Sequence, residues 1–394
     1  MPNSVLSNFV LHSELKLVRI FKLGPASSAI RCEKKRIHEY CPRCATPSDA
    51  TYDSRKVRVK DAPIRGTHIS LEIKKRRLWC RPCRKPFTEP VAGVKKGRRH
   101  TERYARSLLW ACENFSDLSQ VRRAYRCSAS FLYKIYYERL ELKVGAQVNY
   151  PWMKTVGIDE HAFKRGKFGQ TEFVTMIVDY DHKRVRELVE GKTSAALSEQ
   201  LKTIPGRENV ERVVLDLCDP FKNFAREYFP GAKIVADKFH VLRLLTPALL
   251  RKRKEVAGTR ADLRAKKLLL MSGKKLGYFE RQALLDFLYK YPDLFELYTW
   301  KEKIHRFYRI RGYHNAAVAM RKLIDQMAWS NLKEIRTLRK TFMKWREEIL
   351  NYFLTGLTNA RTEGFNNKAK VVKRRAYGYK SFRNYRLKVL TACA

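Results

Sequence analysis

What this 394-residue chain lacks first is negative charge: 39 aspartates and glutamates face 83 lysines and arginines, for a formal net charge of +44. A fold that repels itself this strongly is tolerable beside a polyanion, because each neutralised phosphate releases condensed counterions and adds affinity. Nucleic acid is therefore the expected partner. Also missing is any apolar run approaching about 18 residues, as a spanning helix would need, and residues 1–28 carry no secretory-signal pattern. No heptad pattern persists and no internal repeat is visible, so neither a coiled coil nor a solenoid is expected. These absences predict a cytoplasmic protein without membrane contact. Hydrophobic residues nevertheless make up 44% of the chain and aromatics 12%, ample for packed cores in two or three domains and unlike a disordered basic tail.

Nine cysteines in a long chain without a secretion signal argue against a disulfide framework and for thiols or metal ligands. Four form two CxxC pairs, Cys41-Pro-Arg-Cys44 and Cys80-Arg-Pro-Cys83, separated by the alternating runs "RKVRVKDAP" and "HISLEIKKRRLWC". Each pair turns two thiolates toward one ion, and two such knuckles at the ends of a hairpin complete a closed tetrahedral site for a structural Zn²⁺. A zinc ribbon is predicted over about 35–90, inside an N-terminal region of 1–98. A single CxxC would also suit redox chemistry; two paired knuckles favour zinc. Cys32, Cys112, Cys127, Cys218 and Cys393 lack this spacing and read as small core or surface residues.

Residues 99–148 change to helical periodicity in "TERYARSLLWACENF" and "DLSQVRRAYRCSASFLYKIYYERL". Asp117 or Ser116 can cap one helix and Ser128 or Ser130 the next. The outline fits a helix-turn-helix whose second helix would offer Ser130, Tyr133, Lys134 and Tyr137 to the major groove of double-stranded DNA. The alternative is a small linker bundle with packed tyrosines.

Beyond "LKVGAQVNYPWM", a linker, the order reads βββαβαβα. "KTVGIDEHAF" is a buried strand ending at Asp159-Glu160, and "VERVVLDLCDPF" a strand terminating at Asp216. This is the RNase H-like plan, in which the first and fourth strands lie side by side. Asp159 and Asp216 would then meet although 57 residues apart. A third acid from a later helix can join them, and divalent cations relieve the mutual repulsion of such carboxylates. Oxygen-only ligation suits Mg²⁺ or Mn²⁺. The third acid is read as Glu363, the single carboxylate among ten basic residues between positions 361 and 390. Its neighbours Lys368, Lys370, Lys373, Arg374 and Arg375 would hold DNA phosphates. Glu160 and Asp219 are the rivals of Asp159 and Asp216, Asp219 being also a candidate cap for a helix at Pro220. Asp179 and Asp181 read as turn residues in "DYDHKR". Residues 245–354 are amphipathic helices throughout, read as an insertion that splits the catalytic core into 149–244 and 355–394. Trp300, Trp329 and Trp345 within it are read as core, stacking on a distorted base being the alternative.

The ribbon with "RRLWC" and "PFTE", then "GIDEHAFKRG", "VVLDLCDPF", "AKIVADKFHVLRLL" and "NARTEGFNNKAKVVKRRAYGY", resemble the DDE transposases of bacterial insertion sequences, in the group called the ISL-three family. The resemblance runs over nearly the whole chain. It implies an α/β RNase H-like catalytic domain with an all-α insertion, preceded by a zinc ribbon and a helix-turn-helix. It assigns catalysis to Asp159, Asp216 and Glu363 with two Mg²⁺ or Mn²⁺ ions, acting by strand cleavage and strand transfer on terminal inverted repeats and target DNA. A nucleoid-associated homodimer or larger assembly is expected, since two ends must be joined. Asp237-Lys-Phe-His240 is similar to an aspartate-x-x-histidine signature of related transposases and implies support of the active site. One departure is "DLCDPF", where the family pattern leads one to expect a methionine or a serine-tyrosine pairing nearby; it leaves Asp216 untouched. The competing functions are an RNase H-like nuclease or resolvase without strand transfer, and a zinc-ribbon and helix-turn-helix regulator.

Overall fold

The computed structural model describes residues 13–115, 117–148, 150–165, 169–258 and 263–394. Ser116, one of the two candidate caps, lies outside them. The chain divides into two compact units, Met1–Arg139 and Leu140–Ala394. Among the described residues no helix is long and apolar enough to cross a membrane.

In the first unit two hairpins share one sheet. β1 (Leu15–Gly24) and β2 (Ser27–Lys34) form one, β5 (Thr51–Ile64) and β6 (Thr67–Cys80) the other, in the order β1-β2-β6-β5, with β7 (Lys85–Thr88) paired to β6. The short pair β3 (Glu39–Tyr40) and β4 (Pro47–Ser48) stands apart. Arg65 and Gly66, which join β5 to β6, both have positive φ, the turn geometry whose twist matches that of the strands it connects. The β1–β2 hairpin goes beyond the ribbon expected from the sequence. Its first strand leaves Leu17, Val18, Ile20 and Leu23 exposed, so its apolar residues follow no two-residue period.

Three helices follow: α1 (Glu102–Asn114), α2 (Leu118–Ala124) and α3 (Ala129–Val148). Thr101 caps α1, Asp117 caps α2 through the Gln120 N–H, and the Ser128 hydroxyl accepts from Phe131 N–H at the start of α3. Thr101 Oγ1 and Arg103 Nε each donate to the buried Asp61 carboxylate at 2.6 Å, fastening α1 to β5.

The second unit opens with β8 (Thr155–Arg165), β9 (Thr171–Asp179), β10 (Arg184–Glu190), α4 (Ser194–Leu201), β11 (Arg212–Leu215), α5 (Asp219–Tyr228), β12 (Lys233–Ala236) and α6 (Lys238–Arg243). Its sheet has the order β10-β9-β8-β11-β12, antiparallel across β10, β9 and β8 and parallel across β8, β11 and β12. The first and fourth strands of this unit are thus neighbours, with Leu215 opposite Ile158. The central strands read as unbroken apolar runs because both of their faces are covered.

Among the described residues seven α-helices then lead to the C-terminal pair: α7 (Thr246–Ala257), α8 (Leu263–Leu270), α9 (Tyr278–Leu288), α10 (Pro292–Phe307), α11 (Tyr313–Ala328), α12 (Lys333–Lys344) and α13 (Arg346–Thr355). They share one continuous core with the sheet, in which Val213, Phe221 and Phe224 join Leu297, Phe307 and Phe342. α13 lies along β12, and the Asn351 amide donates to the Ile234 carbonyl at 2.9 Å. Trp300 and Trp345 are core residues; Trp329 is 88% exposed, against the sequence expectation. It ends α11 at its C-cap, off the face on which Ala316, Met320 and Met327 are buried.

α14 (Ala360–Arg375) packs on β8 and β9, and α15 (Phe382–Ala392) on β10. Thr362, Asn366 and Ala369, four and three residues apart, form the buried stripe of α14. The approach to β8 is close enough to require glycine at 157. A Cβ there would overlap Thr362 Oγ1 and the Tyr180 ring, whose hydroxyl is itself 2.9 Å from Thr362 Oγ1 and 3.0 Å from the Thr358 carbonyl.

Gly157→Ala should therefore destabilise the second unit by about 1–3 kcal/mol through overpacking. Denaturant unfolding measures this, and an unchanged midpoint would show that α14 can retreat from the sheet without loss.

Candidate functional site

Gly157, Asp159, His161 and Phe163 alternate along one face of β8. β8 continues to Arg165, so Asp159 is not at the end of its strand as the sequence suggested. It stands one residue beyond the last pairing with β11, where the sheet opens. Glu160 N–H donates to Asp159 Oδ1 at 2.7 Å and the Asn366 amide to Oδ2 at 2.6 Å. Asp216 directly follows β11, and its Oδ1 accepts from Asn359 Nδ2 and His240 Nδ1, both at 2.9 Å. Asp237 directly follows β12 and caps α6 through His240 N–H at 3.1 Å, while its Oδ1 accepts from Asn359 N–H at 2.8 Å. Asp216, Asp237 and His240 bring ligand atoms within 4.8 Å of one another.

Electrostatically Asp159 is under-compensated. Burial first, and then the charge of Asp216, push the Asp159 carboxyl up to about 7. Hydrogen bonds from His240 to Asp216 and to Asp237 push its imidazole up to about 10, so a cationic ring stands between two carboxylates at neutral pH. A buried acid that resists ionisation beside a second carboxylate is the situation a divalent cation relieves, and the donors here, mainly carboxylate oxygens, suit Mg²⁺ or Mn²⁺.

Glu363 sits in the first turn of α14, exposed, where its charge also suits the helix dipole. It lies four residues after Asn359 and three before Asn366, on the helix face that those two amides direct at Asp216 and Asp159. Among the described residues, Asp159, Asp216 and Glu363 do not form one ligand group within 4.8 Å.

The rival acids have other partners. Glu160 projects to the opposite face and pairs with Lys192 at 3.6 Å. Asp219 pairs with Lys344 and is not the cap of α5, whose N-cap residue is Cys218. Asp179 is fully buried and accepts from His182 and Arg184, and Asp181 accepts from the N–H groups of Lys154 and Thr155.

Of the basic residues on α14, Lys368, Lys370, Arg374 and Arg375 are exposed. Lys373 is not a free cation: its ammonium donates to the carbonyls of Ala162 at 2.7 Å and Phe163 at 3.1 Å. On α3, Ser130, Tyr133 and Lys134 are exposed, and Tyr137, half-buried, stacks on Tyr133 with centroids 6.0 Å apart. Sequence reasoning missed Asn359, Asn366 and His161 as parts of the site. The two asparagines were visible at helical spacing on either side of Glu363; no local pattern marks His161.

In the first unit the four ribbon cysteines converge, Cys41 Sγ lying 3.9 Å from Cys83 Sγ and Cys44 Sγ 3.5 Å from Cys80 Sγ. Tetrahedral Zn²⁺ with Zn–S bonds of about 2.3 Å asks for sulfurs roughly 3.8 Å apart, so the donor set fits. The Cys44 thiol is lowered to about 6, chiefly by its hydrogen bond with Thr46, whereas Cys83 is pushed up to about 12, chiefly by its hydrogen bond with Cys44. Cys32, Cys112 and Cys393 are buried, and Cys127 and Cys218 half-buried, none of them in the cluster.

A family model described as transposase, of the DDE type and ISL3 group, matches residues 156–389. A second, described as the zinc-finger of transposase IS204/IS1001/IS1096/IS1165, matches residues 39–83. The transposase for insertion sequence element IS1001 of Bordetella parapertussis is 24% identical over 365 residues, covering 89% of this chain and 88% of that protein. The transposase for insertion sequence element IS1557 of Mycobacterium tuberculosis (strain ATCC 25618 / H37Rv) is 22% identical over 347 residues, covering 79% and 76%.

The raised Asp159 carboxyl has a stability consequence. Between about pH 4 and 7 the folded protein holds a proton that an unfolded aspartate has released, so this contribution is full below pH 4 and lost as pH rises to about 7. In metal-free protein Asp159→Asn should thus melt higher than the parent, by a margin that widens from pH 4 to 7 and then levels. Added Mg²⁺ should narrow the margin. Calorimetry across this range tests it, and a margin independent of pH would contradict it.

Proposed function

The chain belongs to the ISL3 family of DDE-type transposases, and from that premise we propose that Asp159, Asp216 and Glu363 are its catalytic carboxylates. On this reading they act in an RNase H-like domain that cleaves insertion-sequence ends and joins them to target DNA. The observation that carries it is the pair of asparagine bridges. Asn359 and Asn366 tie α14 to Asp216 and Asp159, which brackets Glu363 between two acids from neighbouring strands. The sheet order, with β8 beside β11, supports the RNase H-like reading.

Two Mg²⁺ or Mn²⁺ ions held by these carboxylates would activate the attacking water or 3′-hydroxyl and stabilise the leaving oxygen. The protein's own groups do the rest. Asn366 and Glu160 N–H fix the plane of Asp159, Asn359 and His240 fix Asp216, and Asp237 orients both Asn359 and His240. Phosphoryl transfer asks the protein mainly for positioning and charge stabilisation, which such a braced set provides. Lys368, Lys370, Arg374 and Arg375 supply sequence-independent phosphate contacts along α14. In the first unit α2 and α3 act as a helix-turn-helix, with Ser130, Tyr133, Lys134 and Tyr137 toward the major groove, while zinc holds the ribbon rigid. Two ends must be joined in one reaction, so the end-bound form is a dimer or larger.

Glu363→Gln keeps the side-chain shape and removes the charge. End binding should survive while cleavage and joining of end-containing DNA fall by several orders of magnitude, as they should for Asp159→Asn and Asp216→Asn, without additivity among the three. Near-normal strand transfer by Glu363→Gln would move the assignment to another acid, with Asp237 the first to test.

Arg374→Ala and Arg375→Ala should each weaken binding to any DNA and lower the salt slope by about one. Lys373→Ala should leave that slope nearly unchanged and lower thermal stability instead, because its ammonium is bonded to β8. Titrations between about 50 and 200 mM salt distinguish the two, and equal slopes for all three variants would refute the distinction.

A further inference from the structure

Behind Asp159 runs a buried chain of polar groups that the catalytic assignment leaves unexplained. The Asn366 amide donates to Asp159 Oδ2 at 2.6 Å; Asn366 Oδ1 lies 2.8 Å from His161 Nδ1; His161 Nε2 lies 2.7 Å from the Tyr385 hydroxyl. His161, Asn366 and Tyr385 are 4%, 2% and 0% exposed. They come from β8, α14 and α15, and the Tyr385 ring is held by stacking on Phe163 at 5.2 Å.

We propose that Tyr385, His161 and Asn366 form a one-directional hydrogen-bond relay that fixes the orientation of Asp159 and thereby sets its affinity for a divalent cation. The inference rests on the catalytic reading of Asp159, and makes His161 and Tyr385 positioning residues for it.

Chemistry sets the direction. Both Asp159 oxygens accept, Oδ1 from Glu160 N–H and Oδ2 from the Asn366 NH₂, which leaves the Asn366 carbonyl to face His161. His161 must then carry its proton on Nδ1, which leaves Nε2 as an acceptor for the Tyr385 O–H. The other acceptor near that hydroxyl, the Ala369 carbonyl, is more distant at 3.4 Å. Every donor in the series points toward Asp159, so each bond polarises the next and strengthens the last, at the carboxylate. With Glu160 N–H on Oδ1, each Asp159 oxygen accepts one fixed hydrogen bond and keeps a lone pair for a cation. A need merely to satisfy buried polar groups would require neither this direction nor an end point at an acid of the site.

The test uses the full chain. Nitrogen NMR of protein labelled in histidine should show a neutral His161 protonated on Nδ1; an Nε2-protonated ring would overturn the relay. Calorimetric titration with Mn²⁺, without DNA, should show affinity about tenfold weaker in Tyr385→Phe and up to about a hundredfold weaker in His161→Phe, the range for groups that orient metal ligands. The double variant should be no weaker than His161→Phe alone. Cleavage of end-containing DNA should fall in both variants at low Mn²⁺ and recover at saturating Mn²⁺, which a purely structural defect would not allow. Parental Mn²⁺ affinity in both folded variants sinks the proposal. Should His161→Phe not fold, Tyr385→Phe, which loses one oxygen and keeps the ring, decides alone beside the NMR. Asp159→Asn in the same series separates the failures: if it binds Mn²⁺ and cleaves normally, the catalytic reading itself is wrong, whereas its loss beside unaffected His161 and Tyr385 variants rejects only the relay.

Discussion

The seating of α14 against β8 is the contact on which the candidate site depends. A strand and a helix can approach this closely only where a side chain is missing, and Gly157 provides the gap into which Thr362 and Tyr180 fit. From that point the helix is fastened along its length: Asn359 to Asp216 at its start, Asn366 to Asp159 at its middle, Lys373 to the carbonyls of Ala162 and Phe163 near its end. Each fastening uses a charged acceptor or a backbone carbonyl, and all but the Lys373–Ala162 bond are partly buried, where hydrogen bonds are stronger and an unmade one costs more. The position of Glu363 follows from these bonds and from its own N–H, which donates to the Asn359 carbonyl at 2.9 Å.

Charge explains why the acids need such bracing. In a chain carrying +44, a few carboxylates drawn together where the parallel strands of a mixed sheet open are the exception, and they repel one another. His240 answers part of that repulsion by bridging Asp216 and Asp237. The helices between α6 and α14 contribute from the far side. α13 lies along β12 and so steadies the strand from which Asp237 emerges, and it shares one hydrophobic core with the sheet. The family's DNA chemistry thus rests on an apolar scaffold that extends well beyond the sheet.

Much of this was legible in the sequence because the signals are local or carry a fixed period. The paired CxxC spacings, the strand and helix order of the second unit and the isolation of Glu363 among ten basic residues depend only on neighbours along the chain. The family likeness drew on the same short blocks. What misled were cases where a local pattern has two tertiary outcomes. Lys373 looked like its exposed neighbours Arg374 and Arg375 until the helix was docked and its ammonium met two carbonyls of β8. Trp329 looked like Trp300 and Trp345, but it falls at a helix end, off the buried face. β1 was invisible because its apolar residues do not alternate.

The sequence by itself determined which residue types are present and which lie within a turn of each other: the ribbon thiols, the acids closing apolar strands, the asparagines flanking Glu363. Their spacing follows from backbone geometry, which is the same in any fold. Only the tertiary structure decided which atoms face one another across elements. His161 and Asn366 are separated by 205 positions and Asp159 and Asn366 by 207, yet they are joined by hydrogen bonds of 2.8 and 2.6 Å. Such contacts depend on the packing of β8, α14 and α15 to within a fraction of an ångström, and no periodicity along the chain encodes a distance between chain segments that far apart.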